Sequence, residues 1–392
     1  MRLFLTLIAA LTFTATTMAQ TNEYGTSQSY NKFGFNLFAH MPASGNQVIS
    51  SFSVYSALAM TYAGASTVTA AEMGIMLDAD TITEVFFENN KSLIDRILQK
   101  KEVEINIANA TWLNKDFNLE KDFKKVSEEY FQAKSQQLSF ETPESMLESQ
   151  NIINNWVSKK TKTKIPNLIK DGMLSKDTRL VLTNAIYFKG DWEMPFAEDQ
   201  TMVDTFFTGP EVMKQTKMMH SGGQFYYYSN DKFSAVSLPY QLGECMMHIV
   251  LPNEAMYDSL NSFFTYKDYK EMIDSLQKSN VKMTLPKFSF ESENEMSEYL
   301  KIMGMPSAFD NAADFSKLTG TKDTRIDKVF HKTIIEVNEK GTEASAATAV
   351  VVVRKTTIRM ENKEFKANRP FLFFITEAAT GTILFMGNVL NP

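Results

Sequence analysis

The chain has 392 residues, 44% of them hydrophobic, enough for a large packed core and too apolar for a disordered polypeptide. A net charge of −6 provides no overall field that would favour nucleic acid or an anionic membrane, so partners must be argued from local features. Cys245 is the single cysteine, which excludes an internal disulfide and, in its apolar CMMHIVL setting, reads as a core residue.

The first twenty residues, MRLFLTLIAALTFTATTMAQ, put Arg2 before an apolar run that ends in small residues at Thr17 and Ala19. This is the pattern of a secretory signal over 1–19 cleaved after Ala19, leaving one domain over 20–392 and a secreted product. No later run approaches the 18 apolar residues of a membrane span. The sequons at Asn90 and Asn109 are glycosylation acceptors only in a eukaryotic secretory route.

Helical spacing of apolar residues predicts helices over Tyr30–His40, Ser53–Ala65 and Glu84–Gln99. VEINIANATWL then alternates, with Val103, Ile105 and Ile107 expected on one strand face. A further helix is expected over Ser145–Lys159, with Ile153, Trp156 and Val157 buried. From Arg179 strands dominate: RLVLTNAIYF, FSAVSLPY, CMMHIVLP, VKMTLPKFSF, KVFHKTIIEVNE, FLFFIT and TILFMGNVL, interrupted by helical patterns over Tyr257–Gln277 and Glu293–Met303. Helices first and strands later, without regular βα alternation, predict a single α+β domain.

Catalytic and metal motifs are missing: there is no GxSxG, HExxH, CxxC, Walker A or GxGxxG, and His40, His220, His248 and His331 lack metal-ligand spacing. The sequence therefore predicts no enzyme, no metal and no cofactor. The basic clusters Lys100-Lys101 and Lys121 to Lys125 adjoin acids, so they read as solvated helix faces, with weak support for a glycosaminoglycan site.

The stretch EKGTEASAATAVVVVRK, residues 339–355, fits none of these patterns. Ala347 to Val353 are seven uncharged small or apolar residues that would pair with any free sheet edge, and they run into the protease-sensitive pair Arg354-Lys355. Thr342, Ala344, Ala346, Thr348, Val350 and Val352 share one strand face without charge or proline. Glu343, Ser345, Ala347, Ala349, Val351 and Val353 take the other. Such a segment has the pattern of an internal strand, where a proline would remove a ladder bond and a buried charge would be costly.

TNAIYFKGDWEMPF (183–196), LPKFSFESENEMSEYLKIMG (285–304), VFHKTIIEVNEKGTEASAAT (329–348) and NRPFLFFITEAATGTILFMGNVLNP (368–392) resemble the serpin family, as does NQVISSFSVYSALAMTYAGA (46–65). The resemblance implies three β-sheets, about nine helices and an exposed reactive loop over about 339–362. It implies a shutter cluster of Ser50, Ser53, Asn184 and His331, and a breach of Trp192, Lys287 and Glu339 in which Lys287 pairs with Glu339. It implies a loop hinge formed by Glu339, Gly341, Thr342, Glu343, Ala344, Ser345, Ala346, Ala347 and Thr348, with Gly341 expected to supply a turn. Ser51 stands where the family usually has proline.

The family's usual loop length puts the reactive bond 16 positions after Glu339, at Lys355-Thr356, with Arg354 as a shifted alternative. Lysine there suits trypsin-like proteases, and the valines suit elastase-like ones. The implied function is a suicide substrate: the loop is cut, inserts as a strand and carries the acylated protease across the fold. The 14 residues Thr342 to Lys355 span about 45 Å as a strand. The alternative is a non-inhibitory member acting as carrier, chaperone or cleavable substrate. A monomer is expected, with a risk of polymers through the same spare strand.

Overall fold

The computed structural model describes residues 23–42, 44–79, 81–253, 260–342 and 362–392. Helix α1 covers 23–40 and leads into strand β1 (Gln47–Ile49). Helix α2 (Ser51–Tyr62) starts at Ser50, whose hydroxyl caps the Ser53 amide, and all twelve of its residues are buried. It is therefore a core helix.

After α3 (Thr67–Met76), helix α4 (Glu84–Leu98) is capped by Thr83 and buries Asn90, Leu93, Ile94 and Ile97, a single helical stripe. Strand β2 (Val103–Asn114) alternates in exposure at first and is buried on both faces from Ala108 onward. Helix α6 is the reason. Introduced by α5 (Lys121–Phe131) and β3 (Lys134–Leu138), α6 (Pro143–Lys160) lies across the sheet, with Ile153 and Val157 buried with Ala108, Ala110 and Trp112 and the Trp156 ring edge-on to Trp112 at 5.5 Å. A Thr142/Ser145 capping box, Pro143 in the first turn and Lys159 and Lys160 in the last define its ends.

The second half supplies β4 (Leu180–Asp191), β5 (Met202–Phe207), β6 (Met213–Ser229), β7 (Phe233–Pro239) and β8 (Cys245–Pro252). Where one helical stretch was expected over Tyr257–Gln277 there are two helices, α7 (Leu260–Phe263) and α8 (Tyr266–Ser275), because Thr265 and Asp268 form a capping box that starts the second. VKMTLPKFSF is likewise two strands, β9 (Gln277–Pro286) and β10 (Phe288–Glu295), which separate at Lys287 into different sheets. The helix expected from Glu293 begins later, as α9 (Ser297–Ile302). Glu293, Asn294 and Glu295 stay in β10, and the Glu295 carboxylate then accepts the Ser297 amide. Then follow α10 (Ser316–Thr319), β11 (Ile326–Val337), the two-residue β12 (Gly341–Thr342), β13 (Lys363–Lys366), β14 (Phe371–Glu377) and β15 (Ile383–Val389).

The described strands form two hydrogen-bonded sheets, where three were expected. Six strands run β10-β11-β12-β4-β2-β3, and nine belong to a sheet ordered β1-β15-β14-β8-β7-β6-β9-β13 with β5 on β6. Two would-be sheets are joined through the 17-residue β6, which pairs β5 over its first part and β9 and β7 over the rest. Helix α2 covers one side of the six-stranded sheet, and α6 covers the other over Ala108, Trp112, Val181, Ala185 and Phe330, while Glu336 near the top of β11 stays exposed.

Candidate functional site: the split sheet and its hinge

Strands β11 and β4 are parallel partners from Ile326/Leu180 to Thr333/Ile186. Above that point their direct pairing stops, and at the top β12 lies between them: Thr342 pairs with Val337, while Gly341 and Thr342 pair with Asp191 and Gly190. The sheet is thus closed below and split above, with Gly341 and Thr342 of the hinge already in the split. Thr342, first of the inward-facing set, is 2% exposed, and its hydroxyl meets the Tyr240 hydroxyl at 2.6 Å. Residues 343–361, including the rest of the hinge and the Arg354, Lys355 and Thr356 positions, lie outside the described residues, as does the 1–19 segment.

Gly341 is required here by close approach, a different reason from the turn expected of it. Its φ is not positive, but a Cβ would lie 2.1 Å from the Gly190 carbonyl oxygen and 2.8 Å from the Asp191 Cα. Only glycine lets β12 pass this close to β4.

The breach residues converge around this point. The buried Trp192 donates its indole N–H to the Asn338 carbonyl at 3.0 Å, its amide donates to Lys340 at 2.8 Å, and its ring stacks on Tyr240 at 4.6 Å. Lys287 Nζ lies 2.7 Å from Glu339 Oε2, and Thr201 donates to Oε1 at 2.8 Å. Burial pushes the Glu339 carboxyl pKa up, but the Lys287 ammonium and the hydrogen bonds to the carboxylate outweigh it and hold the pKa below the usual range. Beside the pair is a cavity of about 350 Å³ lined by Lys287, Phe288, Glu336, Val337 and Lys340.

The shutter forms a closed polar network below the split. The Ser50 amide donates to His331 Nε2 at 3.1 Å, so Nε2 is the unprotonated nitrogen and Nδ1–H donates to Asn184 Oδ1. The Asn184 amide donates to Ser53 Oγ and Asn109 Oδ1. Asn109 and Thr333, whose hydroxyl meets His331 Nε2 at 2.8 Å, are members that sequence reasoning missed. In the sequence Asn109 shows only as part of a sequon, because β2 also carries Glu104, Asn106, Thr111 and Asn114 and one more polar residue gives no signal. Burial pulls the His331 pKa down to about 3, so the ring is neutral. Ser51 occupies the first turn of α2 and donates to the Ile383 carbonyl at 3.3 Å, tying the helix start to β15 in place of a proline.

Other candidate residues resolve as structural. Cys245 is buried, and that burial together with the nearby Glu377 carboxylate pushes its thiol up to about 12. Asn90 and Asn109 are 1% and 3% exposed and hydrogen-bonded, so neither can receive a glycan in the folded chain. Lys124 and Lys125 pair along α5 with Glu128 and Glu129, as expected of a solvated helix face, but Lys100 lies beyond the end of α4 and turns inward to bind the buried Glu377 at 2.6 Å, so it is not on a solvated face. His40, His220 and His248 bond to Asn36, Thr284 and Ser237, each in its own neighbourhood.

The sheet is split at the top, Gly341 and Thr342 lie in the split, and a polar cluster sits beneath it. The family model described as serpin (serine protease inhibitor) matches residues 28–392, and the chain belongs to that family. A serpin-like protein of Thermococcus kodakarensis is 34% identical over 92% of this chain and 84% of its own length. Leukocyte elastase inhibitor of Xenopus tropicalis is 33% identical over 93% of this chain and 99% of its own. Among solved structures, human thyroxine-binding globulin complexed with thyroxine superposes with a TM-score of 0.85 at 28% identity, covering 95% of this chain and 99% of that one. The fold is the serpin fold, and the family's inhibitors act on proteases.

Proposed function

We propose that this chain is a secreted suicide-substrate inhibitor of trypsin-like serine proteases, with elastase-like enzymes as secondary targets. The protease serine attacks the carbonyl of Lys355, the Lys355-Thr356 bond breaks, and an acyl-enzyme ester forms as the new amine of Thr356 leaves. The freed loop then continues the strand begun by β12, between β11 and β4, and carries the ester-linked protease with it before water completes deacylation. This chain supplies no catalytic group; it supplies a fold whose relaxation outruns hydrolysis.

The observation that carries this reading is the placement of Gly341 and Thr342 between β11 and β4, with Thr342 buried. It sets the parity of any further insertion: Ala344, Ala346, Thr348, Val350 and Val352 follow Thr342 on its face, and none of them is charged. A carrier has no need of a segment so suited to burial. Incubation with trypsin followed by a denaturing gel tests the proposal. A band at the summed mass of the two proteins is expected. A clipped chain alone, with full protease activity remaining, would sink the inhibitory reading in favour of a non-inhibitory one.

A further inference from the structure

Helix α3 lacks the charged outer face of a surface helix. Its sequence, TVTAAEMGIM, holds one charge, Glu72, and that carboxylate is turned inward to accept the Ser307 amide at 2.9 Å and the Ser307 hydroxyl at 2.6 Å. Thr69 and Met73 are buried. What remains outside is Val68, Ala71 and Ile75, spaced i, i+3 and i+7 and therefore one stripe. Val68 is 49% exposed, and Ile75, at 83%, is the most exposed large hydrophobic side chain among the described residues. Helix α5, by contrast, turns Lys124, Lys125, Glu128 and Glu129 to solvent. A helix that is apolar all round is ordinarily a covered helix.

The stripe and the charges at its two ends point to what covers it. At the N-terminal end, Thr67 Oγ1 and Lys322 Nζ lie 3.0 and 3.1 Å from the same Asp314 carboxylate oxygen, and the lysine is largely exposed. Two residues beyond the C-terminal end, Asp78 pairs with Lys32 at 2.7 Å and keeps half of its side chain open. The helix between them has ten residues and is about 15 Å long. A second copy of α3, laid antiparallel about a two-fold axis at Ala71, sets Val68 against the partner's Ile75 and directs Asp78 toward the partner's Lys322. The small side chain of Ala71 lets the two helices approach at the axis. The face is thus complementary to itself in both shape and charge, which is what a symmetric contact requires. Thr67, Thr69 and Glu72 anchor α3 to Asp314 and Ser307, which belong to neither sheet, so the contact leaves the split sheet out of the interface.

We propose that the outer face of α3, formed by Val68, Ala71 and Ile75, is the contact of a weak symmetric dimer of this chain. The proposal does not depend on the inhibitory reading. A single short helix buries less than a standard interface, so the dissociation constant is expected to be roughly 10–100 µM. Its test is sedimentation velocity of the full chain from about 1 to 500 µM, a range that brackets this constant. Oxidative cross-linking of Ala71→Cys, with Lys124→Cys as a control, locates the axis, since Cys245 is the single native cysteine and is buried. The expected result is a dimer that Ile75→Lys weakens at least tenfold, with the thermal midpoint unchanged because lysine suits the end of a helix. Ala71→Cys is expected to form a disulfide-linked dimer under mild oxidation, and Lys124→Cys to stay monomeric. A monomer throughout, a dimer that Ile75→Lys leaves intact, or no preference for cross-linking at 71 over 124 overturns the proposal. So does a monomer that floats with phosphatidylcholine vesicles, which would give the face to a lipid surface instead.

Discussion

Thr342 shows how much one side chain decides. It sits where the loop's inward face begins, against Tyr240 and without solvent. Arginine there would bring a charge into the slot, which costs several kcal/mol unless paired. Thr342→Arg is expected to turn inhibitor into substrate, raising the stoichiometry of trypsin inhibition about tenfold or more, as measured by titration of residual activity. His331 and His248 provide a second residue-scale expectation. Both are buried with pKa values pulled down to about 3, against 6.5 when unfolded. The unfolded chain therefore binds more protons as pH falls below 6.5, so their contribution is full above that value and is lost progressively toward pH 3, each at up to about 1.4 kcal/mol per pH unit. Urea midpoints taken from pH 7 to pH 5 should fall, and His331→Asn should flatten the fall. A slope unchanged by that substitution would contradict a neutral, buried imidazole. Of these residues, Ser50, Ser53, Asn184, His331, Trp192, Lys287 and Glu339 were legible through resemblance. Asn109 and Thr333 were not, because nothing local marks an asparagine on β2 as a partner of Asn184 or a threonine on β11 as a partner of His331.

Elements were legible where a period was strong and a cap was present. α4 and α6 follow their stripes and begin at Thr83 and Thr142. The β5–β6 hairpin went unread because its burial pattern hardly alternates: neither face is wholly covered, so hydrophobicity carries no clean period of two. The broken run at Lys287 shows the converse, a continuous pattern divided between sheets by tertiary structure. β12 is the most consequential element and the shortest. If steric fit holds it in place, Gly341→Ala should destabilise the docked hinge by about 1–3 kcal/mol through overpacking against Gly190. Hydrogen exchange at the Asn338 amide, which donates to the Gly341 carbonyl, and at the Trp192 amide, which donates to Lys340, should then accelerate roughly 5- to 150-fold. Unaltered protection at both amides would show that β12 is held some other way.

For the whole molecule, the α+β class follows from the order of helices and strands, while sheet order and the split do not, since they depend on contacts between distant segments. The six-stranded sheet is split at its top, and in the proposed mechanism the loop completes it. Completion adds ladder bonds on two sides and buries the face that begins with Thr342, so it must stabilise the fold. The direct measurement is the thermal midpoint of the intact chain against the chain cut within 351–356 by a protease at catalytic concentration and then freed of it. This requires no knowledge of the natural target. The midpoint is expected to be about 10 °C or more higher after the cut. An equal or lower midpoint in the cut chain would contradict it.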